Sequence, residues 1–95
     1  MNRAQILAAV EKTRTNIWNK TNRLKRQIEL LDVNPIASEI NALQSILNNK
    51  VFKNVDVVLS RSGIKGVQHL LCDLETKADK EIESATQELR EAIKL

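Results

Sequence analysis

Tyrosine is absent, and Trp18 and Phe52 are the only aromatic residues in the 95-residue chain, so a hydrophobic core has to be built from aliphatic side chains. Leu, Ile, Val and Ala are the residues with which helices pack. Backbone punctuation is equally scarce. Gly63, Gly66 and Pro35 are the only glycines and proline, too few turn signals for a β-sandwich or barrel. The single Cys72 excludes an internal disulfide, and a thiol of this kind fits a reducing compartment. Long hydrophobic runs are missing too. No stretch approaches the ~18 apolar residues of a membrane span, and the run from Ile6 to Val10 is too short for the core of a cleavable signal. The expectation is a cytoplasmic protein with no membrane partner. A chain of this length supports one core, so residues 1–95 are read as a single helical domain.

What is present is helical periodicity. Leu7, Val10, Ile17, Leu24, Ile28 and Leu31 follow heptad-like spacing, with Arg14 and Thr21 interrupting the seam. With no Gly or Pro between residues 3 and 31, the pattern predicts one helix roughly 43 Å long. Asp32-Val33-Asn34-Pro35 marks a boundary, since proline pushes its predecessor out of the helical region and is welcome at a helix start. Asn34 is the expected cap. Ile36, Ile40, Leu43 and Leu47, with Ala42 and Ile46 beside them, predict a second helix. This middle helix is read over 35–59, with a weak point at residues 48–50. The valines of 51–59 suit a strand by propensity, but a lone strand has no partner, so the segment is read as helical. Ser60-Arg61-Ser62-Gly63 supplies turn residues. From Gly63 onward, Val67, Leu71, Leu74, Ala78, Ile82, Ala85, Leu89 and Ala92 fall at steps of three and four and predict a final helix over 63–94. The fold class is therefore all-α: a three-helix arrangement with long first and last helices and a shorter, broken middle one.

Charge is split along the chain. Residues 1–31 carry seven Lys or Arg against Glu11 and Glu29, a net +5, whereas residues 67–95 carry seven acids against four bases, a net −3. Such a split can bind within one chain, between chains, or to two different partners.

Candidate chemistry is sparse. His69 and Cys72 are the only soft metal ligands, and two ligands do not make a structural zinc site. No nucleophile stands with a base and an orienting group, so no catalytic residue, metal or cofactor is assigned and the chain is read as a non-enzyme. The leading expectation is a helical protein-interaction module, such as an adaptor, inhibitor or assembly component, with Trp18, Arg14 and Phe52 as partner-binding residues. The outer helices exceed the middle one in length, which predicts uncovered seams and a homo-oligomer.

The alternative is a small nucleic-acid-binding protein. Lys12, Lys20, Arg23 and Arg26 project opposite the seam of the first helix, with Asn16 and Asn19 among them, a mixture suited to phosphate. Arg61 and Lys65 flank Gly63 and Gly66. That glycine spacing resembles the Gly-x-x-Gly loop of KH domains and the glycine turn of helix-hairpin-helix modules, both of which hold nucleic-acid backbone. The chain lacks the KH sheet and departs from the helix-hairpin-helix glycine pattern, which leaves an interhelical turn carrying two cations.

Overall fold

The computed structural model describes residues 1–31 and 37–93; the expected Asn34 cap, the Pro35 boundary, Ile36 and Lys94 lie outside them. Among the described residues every regular element is helical: α1 (Arg3–Leu31), α2 (Ala37–Leu47), α3 (Lys50–Lys53) and α4 (Val55–Ile93).

α1 begins on a reciprocal cap. The Asn2 backbone N–H donates to Gln5 Oε1 and the Gln5 N–H donates to Asn2 Oδ1, each at 2.9 Å, so two N–H groups that the first turn leaves without helical partners are satisfied. The weak point near residue 48 is a true break. Asn49 adopts φ −57°, ψ 143° and its side chain accepts the Val51 N–H at 3.0 Å, starting the single turn of α3. Asn and its neighbour Asn48 favour such local side-chain bonds over continued helix.

One expectation is corrected here and another is met. The middle helix does not reach residue 59, because the chain leaves helical geometry at Asn54 (φ −149°, ψ 74°) and residues 55–62 belong to the next helix. α4 follows a helical path as two arms, 55–62 and 64–93, so its long arm begins where the sequence placed the last helix. Only Gly63 departs from it, at φ 72°, ψ 178°, a region that side-chain-bearing residues rarely enter. Gly66 serves the same joint differently: a β-carbon there would lie 2.6 Å from Ser62 Cβ. The chain's two glycines thus build one kink, the first by conformation and the second by space.

The core has two contiguous halves. Ile6 and Val10 of α1 meet Val51, Val67, Leu71 and Leu74 at one end. Ile17 and Leu24 meet Ile40, Leu43, Ala78, Ala85 and Leu89 toward the other. α1 and the long arm of α4 therefore run parallel, and α2 with α3 returns between them. The ion pairs Arg3–Asp56 and Lys20–Asp79 fit this register. The molecule is a rod of 50 × 18 × 17 Å.

The α1 seam keeps its predicted register at Val10, Ile17, Thr21 and Leu24 and differs by one step at two positions. Ile6 and Thr13 are buried where Leu7 and Arg14 were expected, and both of the latter are half-buried at the flank. Thr21 does lie on the seam, 2% exposed, and its hydroxyl donates to the Ile17 carbonyl at 2.8 Å. Val55, Val58, Leu59 and Ile64 pack against the core half formed by Ile6, Val10, Val51, Val67, Leu71 and Leu74. These residues cover seam that a three-helix reading left open. Among the described residues, only Met1, Trp18 and Leu30 are large hydrophobic side chains with substantial exposure.

Candidate functional site

Because one side of α1 is committed to the core, its opposite side is presented to solvent along the length of the helix. Between residues 12 and 28 this helix carries six Lys or Arg and no Asp or Glu. Arg14 is paired with Glu11 at 2.5 Å, and this hydrogen bond, with the attraction of the guanidinium, lowers the Glu11 carboxyl below its ordinary value. Lys20 is paired with Asp79 of α4 at 2.9 Å. It sits at the α1–α4 boundary, which corrects its expected place on the far side of the helix. Lys12, Arg23, Lys25 and Arg26 make no ion pair within 4 Å among the described residues.

Trp18 stands in the middle of this surface and is 50% exposed. It lies about 100° round the helix from the seam, far enough to leave the core. A shallow cleft on one side of it is lined by Asn19, Asn22, Arg23 and Arg26. A second, on the other side, is lined by Arg14, Thr15 and Asn19. Trp18 and Asn19 border both, forming a ridge between the two concavities. The aromatic ring, the amides and the guanidinium groups are thus brought together by one helix. Asn22 was not singled out by sequence, although its place one turn beyond Trp18 is a readable signal.

The other sequence-derived candidates are dispersed. Phe52 is half-buried and packs against both core halves, away from Trp18 and Arg14 on α1. Arg61 and Lys65 are exposed on either side of Gly63. The parallel register sets them beside the start of α1, roughly 30 Å along the rod from Arg23 and Arg26, so the two cationic groups do not form one patch.

Acidic character gathers on α4, and one carboxylate is drawn inside. Glu39 of α2 is 6% exposed; its Oε1 accepts a long bond of 3.5 Å from Ser84 Oγ, and its Oε2 is buried with no partner among the described residues. Burial, then the neighbouring Glu39 carboxylate and repulsion from Glu91, push the Glu88 carboxyl above its ordinary value. His69 and Cys72 are both exposed on α4. Among the described residues no three His, Cys, Asp or Glu side chains converge as metal ligands would, and no helix is long and apolar enough to cross a membrane. No protein-family model, curated protein or solved structure matches the chain.

Proposed function

We propose that this chain is a non-enzymatic binding protein that takes up nucleic acid on the outward face of α1. The observation that carries the reading is the exposed Trp18 ridge within a helix segment bearing six cations and no acid. Phosphate is met by guanidinium and ammonium groups, sugar and base edges by amides, and base faces by an aromatic ring. All three kinds of group border the same two clefts. A protein hot spot ordinarily surrounds its aromatic anchor with apolar neighbours that exclude water; here the neighbours are Arg, Asn and Thr.

A protein partner is the second reading, favoured by Leu30, which is 84% exposed on the same side of α1 one turn beyond Arg26. A second copy of the chain, offering the acidic exterior of its α4, is one such partner. Sedimentation across micromolar concentrations distinguishes it, since this reading requires a concentration-dependent dimer.

Retention on immobilised DNA and RNA at about 50 mM salt tests the first reading, with a roughly 20- to 50-fold loss of affinity expected by about 200 mM for three or four phosphate contacts. The variant Lys12→Ala/Arg23→Ala/Arg26→Ala is expected to elute early. Absence of retention at low salt contradicts the proposal.

A further inference from the structure

Within the nucleic-acid reading, on which this step rests, we infer that the ligand is a short single strand with one base stacked on Trp18. The exposed indole offers an aromatic face, and in a duplex the faces of the bases are already occupied by their neighbours. Only an unstacked base can use it. The second aromatic residue, Phe52, packs against the core, so among the described residues Trp18 is the more exposed of the two and the one bordered by the clefts.

The clefts on the two sides of the Trp18–Asn19 ridge give the strand a path across the helix. Asn19 and Asn22 present amide donors and acceptors to the edges of a splayed base. Arg23 and Arg26, bordering the same cleft, meet the phosphate that follows it. Arg14 borders the opposite cleft and retains guanidinium N–H groups beyond those engaged by Glu11. The cations from Lys12 to Arg26 span roughly 21 Å of helix, which limits the footprint to a few nucleotides. One ring and a handful of phosphate contacts make a binder with little sequence preference.

Trp18 is the chain's only tryptophan, and tyrosine is absent, so intrinsic fluorescence reports on this position directly. The full chain is titrated with single-stranded oligothymidylate, a duplex of equal length, inorganic polyphosphate and polyglutamate at low salt. Oligothymidylate is expected to bind most tightly and to quench Trp18, whereas polyphosphate binds without quenching. By anisotropy of a labelled oligonucleotide, Trp18→Ala is expected to bind roughly 5- to 150-fold more weakly, and Trp18→Phe to retain most of the affinity, with unchanged circular dichroism. Equal binding of the single strand by wild type and Trp18→Ala, tighter binding of the duplex, or equal binding of polyphosphate and oligothymidylate overturns the stacked-strand inference while leaving a phosphate-binding face in place. Preference for polyglutamate, or no binding of either nucleic acid, overturns both this inference and the reading beneath it.

Discussion

Thr21 shows how this small protein tolerates polar groups in its seam. Its hydroxyl bonds to the Ile17 carbonyl one turn back, so burial leaves no hydroxyl without a partner. Replacement by the isosteric valine removes the donor while keeping the shape, and the carbonyl retains its helical bond. Thr21→Val is therefore expected to change stability by less than about 1 kcal/mol in urea denaturation, whereas Thr21→Ala, which opens a cavity as well, costs more. Glu88 behaves in the opposite sense. Burial and the neighbouring Glu39 raise its pKa, so the folded state holds that proton more tightly than the unfolded one. The associated stability is fully present below the unfolded value near 4.5 and is lost as pH rises through the higher folded value. Glu88→Gln is expected to raise the urea midpoint at pH 7 and to flatten its change between pH 7 and the unfolded value; an unchanged midpoint at pH 7 contradicts the Glu39–Glu88 repulsion. At this scale the sequence was partly legible. Val10, Ile17 and Leu24 were identifiable as core because they are apolar at helical spacing. Thr13 was not, since a strict heptad step from Leu7 and Val10 falls on Arg14, one residue beyond it. The burial of Glu39 depends on the contact between α2 and α4, which no local pattern encodes.

Among the elements, the first arm of α4, residues 55–62, departs most from its periodicity-based reading. Ser60, Arg61 and Ser62 look like a turn, yet they remain helical and the whole change of direction falls on Gly63. Serine and arginine are compatible with either state; packing of Val55, Val58 and Leu59 against the core half that holds Ile6, Val51 and Val67 selects the helix. Gly63→Ala meets no steric neighbour, so its cost is that of the backbone alone, about 1–3 kcal/mol. Gly66→Ala gains helix propensity but drives a β-carbon against Ser62. A double-mutant cycle separates the two effects: Gly66→Ala is expected to be less harmful in a Ser62→Gly background, with a coupling of about 1 kcal/mol. Independent, additive effects contradict the shared-joint account. The break at Asn48-Asn49, by contrast, was visible in the sequence because two asparagines in succession offer the backbone a local alternative to the helix. The cap at Asn2 and Gln5 was not read from the sequence, although a pair of polar side chains three residues apart ahead of an apolar run is a signal for one.

For the molecule as a whole, charge is organised around the rod. The basic run of α1 faces outward along its middle, acids concentrate on α4, and Lys20–Asp79 ties the two helices where they meet. The split between the basic front and acidic back of the chain was legible from residue counts alone. Its geometry was not, because the parallel register of α1 and α4 decides which cations are consumed in pairs and which face solvent. That same register separates Arg61 and Lys65 from Arg23 and Arg26, although the sequence offered them as one set. The most direct test of the α1 face is the salt dependence of affinity for single-stranded nucleic acid, compared among wild type, Arg23→Ala/Arg26→Ala and Arg61→Ala/Lys65→Ala. The account predicts that removing the α1 pair makes the slope of log affinity against log salt shallower by about 1.4, at about 0.7 per lost phosphate contact, and that removing the pair at the kink leaves it unchanged. Equal slopes for wild type and the α1 variant, or the larger change in the kink variant, would contradict the account.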